Sequence, residues 1–166
     1  MIEARGFRVA VFTVLGRTFM NLKADCPFLT ADRMIAQLKG QADAIIVEVH
    51  AEATSEKQAL GWHLDGRVTA VIGTHTHVPT SDHRILPGGT GYLSDAGMCG
   101  DYDSVIGMQK DIPLQMFLHK RKFPKMTPAQ GEATICASVV EIDNSTGLAT
   151  NIYPIRIGGV LQPSAI

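Results

Sequence analysis

The sequence predicts an α/β fold: a parallel sheet covered by helices, finished by an antiparallel hairpin. Three observations carry that reading. Apolar, β-branched runs at Phe7 to Leu15, Ala44 to His50 and Val68 to Gly73 alternate with helix-patterned segments across short connections, the order of parallel crossover units. From Gly88 onward the pattern changes to turns and short strands. The chain then closes with two alternating stretches, Glu132 to Ile142 and Ala149 to Ile157, joined by the turn-forming run Asp143-Asn144-Ser145-Thr146-Gly147. At 166 residues it is long enough for one sizeable core, so residues 1–166 are expected to form a single domain.

Each element has its own signal. Phe7 to Leu15 is rich in strand formers and stops at Gly16-Arg17. Thr30 is the expected cap of a first helix, whose apolar positions Met34, Ile35 and Leu38 precede a terminating Gly40. Ala44 to His50 is almost continuously apolar, as in a strand buried on both faces, and His50 stands at its end. Ser55-Glu56-Lys57-Gln58 fits a capping box and predicts a helix through Leu64, stopped by Asp65-Gly66. Thr90 to Ser94 reads as a short strand after Gly88-Gly89, and Gly97 to Asp103 as a loop. Asp111-Ile112-Pro113 opens a last helix through His119, with the acid as cap.

Composition excludes several classes of function. Hydrophobic residues make up 45% and charged residues 19%, which rules out a disordered tail or a collagen-like repeat. The net charge of −1 gives no overall attraction to polyanions, so no extended nucleic acid is expected, and the basic stretch Lys120 to Lys125 reads as a solvated helix end. Cys26, Cys99 and Cys136 are an odd number without a C-x-x-C pair and suit a reducing compartment. No apolar run approaches the roughly 20 residues that span a bilayer, and no signal-peptide order is present at Met1 to Arg8; the cytoplasm is expected.

Chemistry concentrates at Gly73-Thr74-His75-Thr76-His77, at the carboxyl end of a strand, where open α/β sheets place ligand sites. Imidazoles at positions i and i+2 reach one side only if the backbone bends between them, and His50 on the neighbouring strand is a natural third ligand for a transition-metal ion. The competing reading is that these histidines are satisfied by backbone carbonyls. Thr74 and Thr76 could contact a phosphate. Asp95 and Asp103 flank the glycine-rich loop, either orienting a metal-bound histidine or capping turns. Ser81-Asp82-His83, His63, His119 and Cys99 read as structural.

Three stretches carry a resemblance to a known family: His50-Ala51-Glu52-Ala53-Thr54-Ser55-Glu56-Lys57, Gly73-Thr74-His75-Thr76-His77, and Asp95-Ala96-Gly97-Met98 through Tyr102-Asp103-Ser104-Val105-Ile106-Gly107-Met108. In order and spacing they resemble the YmdB-like branch of the calcineurin-like metallophosphoesterases. The resemblance implies the C-terminal portion of an α/β/β/α sandwich. It also implies a phosphodiesterase with two divalent metal ions (Fe, Mn or Zn), acting on a small phosphodiester such as a 2′,3′-cyclic nucleotide. Carried over by position, His50 and His75 would hold one metal and His77 the other. The family's metal-binding Asp, its Glu-Asn pair and the Asn-His pair that supplies the general acid have no counterpart before His50, so no catalytic group is assigned in this chain. The alternative is a catalytically silent metal-binding module that forms homo-oligomers through a sheet edge.

Overall fold

Four parallel strands organise the molecule. The computed structural model describes residues 1–4 and 6–164. Its first sheet runs in the order β1 (Ile2–Ala4), β2 (Phe7–Leu15), β3 (Ala44–His50), β4 (Ala70–Thr74), β6 (Gly91–Leu93) and β5 (Arg84–Ile85). β2, β3, β4 and β6 are mutually parallel, while β1 and β5 close the edges antiparallel. Helices α1 (Pro27–Leu38) and α2 (Thr54–Leu64) make the crossovers and touch each other as well as the sheet. Beneath them Val14, Val47, Val49, Leu60, Leu64, Val71 and Tyr92 form the core. A second sheet, in the order β7 (Gly100–Asp101), β8 (Ala133–Ile142) and β9 (Ala149–Ile157), packs against β5 and β6. Helix α3 (Asp111–Leu118) lies between β7 and β8 in sequence. This is the expected mixed α/β architecture with its antiparallel end.

Several local expectations shift. Helix α1 starts at Pro27 after Cys26, so Thr30 lies a turn inside it; proline at the first position supplies the start signal without a side-chain cap. Helix α2 starts at Thr54 with Ala53 at its cap, so Ser55 lies inside the first turn and no capping box forms; the Glu56 carboxylate accepts the backbone N–H groups of Arg17 and Thr18. In α3 the cap position is Lys110, and Asp111 is the first helical residue. β3 is not buried on both faces. Val47 and Val49 are buried beneath the helices with Ile45 beside them, while Ile46, Glu48 and His50 are half-buried on the opposite face. That face continues through Val11, Thr13 and Leu15 of β2, all exposed. β1, β5 and β7 have no sequence signal; two or three residues each, they owe their strand geometry to the partner beside them.

Among the described residues, no helix is long and apolar enough to cross a membrane.

Close packing dictates one helical glycine. A Cβ on Gly61 of α2 would lie 2.6 Å from the Tyr92 ring, which is 1% exposed and has nowhere to retreat. Alanine gains about 1 kcal/mol in helix propensity over glycine, but overpacking a filled core costs about 1–3 kcal/mol. Gly61→Ala is therefore expected to lower the urea midpoint with an unchanged m-value, and a raised midpoint would show that the ring yields freely.

Candidate active site

Register brings the candidate residues together at the carboxyl ends of the parallel strands. Leu15 of β2 pairs with His50 of β3, and His50 with Thr74 of β4. The chain leaving β4 bends sharply, because His75 (φ 103°) and His77 (φ 66°) both take positive φ, a region that costs a non-glycine residue about 1–3 kcal/mol.

What holds that bend is Asp95, just after β6. The carboxylate is buried with Lys57 of α2, both side chains 2% exposed, at 2.9 Å. The same oxygen accepts the N–H of Thr76, between the two histidines, at 3.0 Å, and the other accepts the Gly97 N–H at 2.9 Å. Burial by itself pushes the Asp95 carboxyl up, but the Lys57 ammonium and the Gly97 and Thr76 N–H groups outweigh it and hold it below the ordinary range. Gly73 lets this strand pass. A Cβ there would collide with the Ser94 carbonyl. The far end of the loop is tied by Asp82, which accepts bonds from the Thr80 hydroxyl at 2.8 Å and the Ser94 N–H at 3.1 Å.

The histidines sit in a hydrogen-bond chain whose donors can be assigned in order. Thr13 and Thr74 each donate a hydroxyl to Glu48, at 2.6 and 2.8 Å. With its proton committed, Thr74 Oγ1 accepts from His50 Nδ1 at 2.9 Å, which leaves His50 Nε2 as a lone pair. His75 Nδ1 lies 3.1 Å from that lone pair, and His75 Nε2 lies 3.0 Å from the Glu52 carboxylate. His77 is directed elsewhere: its Nδ1 donates to the Ile106 carbonyl at 3.0 Å.

These positions test the donor set for a metal. Two imidazole nitrogens on one ion at about 2.1 Å lie about 3.0–3.4 Å apart, and the 3.1 Å between His50 Nε2 and His75 Nδ1 fits that spacing. A carbonyl or hydroxyl partner on the other ring nitrogen, as at His50 and His77, is how ligating histidines are oriented. Among the described residues, however, no group of three or more His, Cys, Asp or Glu side chains could hold an ion. The structure joins His50 to His75 and leaves His77 apart.

Of the other named residues, Thr76 keeps its hydroxyl near the Val78 backbone. Asp103 faces Lys110 at 2.7 Å on the surface. Sequence reasoning gives Glu48, Glu52 and Lys57 no role. Of these, Glu52 could have been found, since it lies two residues beyond His50 in the same motif.

A family profile decides the relationship: the YmdB-like protein family matches residues 1–155. The chain belongs to this family. It is 46% identical over 157 residues to a 2′,3′-cyclic-nucleotide 2′-phosphodiesterase of Bacillus subtilis, an alignment covering 94% of this chain and 58% of that protein. Among solved structures, a hypothetical protein from Thermus thermophilus superposes with a TM-score of 0.88 at 43% identity, over 96% of this chain and 61% of that one. A phosphatase from Mycoplasma pneumoniae gives 0.83 at 34% identity, over 95% and 56%. This YmdB-like chain thus spans a little under two thirds of the length of the relatives it matches.

Two tests probe the loop's anchor. Lys57→Met leaves the Asp95 charge buried and uncompensated and is expected to cost about 3–5 kcal/mol in urea unfolding; a loss under about 1 kcal/mol would remove the pair from its anchoring role. The second test is acid unfolding. Asp95 lies below the ordinary carboxylate value, and Asp43 is held at about 2 by the hydrogen bonds of Arg8. Their contribution is complete above about pH 4 and is lost as pH falls through the folded-state values. The urea midpoint should be flat from neutrality to about pH 4 and fall below it, and a fall confined to higher pH would contradict both assignments.

Proposed function

We propose that this chain supplies the histidine-bearing part of a metal-dependent phosphodiesterase centre. Its substrate is a small phosphodiester, with a 2′,3′-cyclic nucleotide as the type. One observation carries the reading: His50 Nε2 and His75 Nδ1 stand 3.1 Å apart at the carboxyl ends of adjacent parallel strands, with His50 held from behind by Thr74 and Glu48. The name of the Bacillus subtilis relative supports the substrate class.

In this reading His50 and His75 hold one divalent ion and His77 Nε2 lends its lone pair to a second, the ions being Fe, Mn or Zn. Such ions activate water and neutralise phosphate charge. The chain's own contribution is placement. Glu48 fixes Thr74, Thr74 fixes the His50 tautomer, and Asp95 fixes the peptide between His75 and His77. Asp95 acts through the loop, by accepting the Thr76 N–H. Bridging carboxylates and the proton donor are assigned to the portion of the family's length that this chain does not span.

The test is hydrolysis of 2′,3′-cyclic AMP with added Mn²⁺ or Fe²⁺, together with elemental analysis of protein purified without chelator or His tag. His75→Ala is expected to lower kcat/KM by at least about 100-fold and to reduce bound metal, and Thr74→Val to weaken metal binding by about 10- to 100-fold. Full activity in His75→Ala would overturn the proposal.

A further inference from the structure

The segment after α3 has no part in the site described so far, yet it carries the densest charge on the surface. Lys120, Arg121, Lys122 and Lys125 fall within six residues, all exposed, and among the described residues none is paired with a carboxylate. They rim a hollow of about 940 Å³ whose floor is Met108, Met116, Phe123 and Met126. Arg121 lies 4.9 Å over the Phe123 ring. A second hollow of about 370 Å³, almost wholly apolar, shares Met116 and Met126 and adds Ile106 and Phe117, the latter 89% exposed. Ile106 closes the connection, since its carbonyl accepts the His77 Nδ1 bond.

We propose that these hollows form a binding track for single-stranded RNA, leading its 3′ end to the histidines, so that the site acts on the terminal cyclic phosphodiester of a polynucleotide. The end point of the track rests on the phosphodiesterase reading above; the track itself does not. Unpaired cations interleaved with aromatic faces are the composition of single-strand binding surfaces, where phosphates meet the cations and bases stack on the rings. The smaller hollow alone is near the lower bound of about 300–1,000 Å³ for small-molecule sites, and the larger one offers room and charge for further nucleotides. The chain's net charge of −1 does not oppose this, because at physiological salt a charge is felt over about 8 Å and the local patch governs. An anionic bilayer would engage the cations but leave both hollows unused. At the end of the track one ring P–O bond breaks, a P–O bond to the water oxygen forms, and the departing sugar oxygen takes the water proton, leaving a phosphomonoester and a hydroxyl.

The probe is a fluorescent oligouridylate of about eight nucleotides ending in a 2′,3′-cyclic phosphate, followed by anisotropy in chelator with 2′,3′-cyclic UMP as competitor. The oligonucleotide should bind at least tenfold more tightly than the mononucleotide, with log affinity falling against log salt by about 0.7 per phosphate neutralised. The double change Lys120→Glu, Lys122→Glu should weaken binding at least tenfold and flatten that slope. Phe123→Ala should weaken it about tenfold with the slope retained. Circular dichroism confirms that the surface variants are folded. Equal affinity for the two probes, binding indifferent to the lysine changes, or capture of phosphatidylserine vesicles in place of the oligonucleotide would overturn the proposal. Salt-dependent capture by a chain whose bound metal is unchanged in His75→Ala would support the track while overturning the phosphodiesterase reading; loss of bound metal in His75→Ala without capture would do the reverse.

Discussion

The buried ion pair between Lys57 and Asp95 is the constraint on which the rest of the site depends. Removing two charges from water costs several kcal/mol per ion before their attraction is counted, so such a pair is a poor way to gain stability. Its use here is positional. One carboxylate binds a side chain of α2, the peptide between His75 and His77 and the peptide at Gly97, and so joins three separate segments at a single point. It is the tie that holds two closely spaced excursions to positive φ in place.

The second organising feature is the side of the sheet that the helices do not cover. Thr13, Glu48, Thr74 and His50 are joined hydrogen bond by hydrogen bond across β2, β3 and β4, on the face where Val11 and Leu15 are exposed. Parallel pairing sets their spacing, because His50 lies opposite Thr74 in register. The polar chain is therefore a product of the sheet itself, and the loops add only its last members, His75 and Glu52.

What can be read in advance follows from which forces are local. The strands and helices of the first half announce themselves by apolar periodicity, and the Gly73 to His77 motif by its place at a strand end. Helix starts are not legible at Thr30, Ser55 and Asp111, because a cap is defined by which backbone N–H groups lack partners, and the chain enters these helices earlier, at Cys26, Ala53 and Lys110, none of which carries a capping side-chain bond. The open face of β3 is hidden because a continuous apolar run looks the same whether one or both faces are covered. Lys57 and Asp95 are 38 residues apart, and nothing in either neighbourhood marks a buried lysine. The separate heading of His77 depends on Ile106, 29 residues downstream.

The positive φ values at His75 and His77 have a consequence for how this loop tolerates substitution. Glycine would relieve the backbone at either position at no steric cost, and β-branched residues would worsen it. The change to glycine would give up the imidazole contacts, His75 with Glu52 and His77 with the Ile106 carbonyl. Histidine at both positions therefore sets a strained backbone against ring nitrogens that glycine cannot supply.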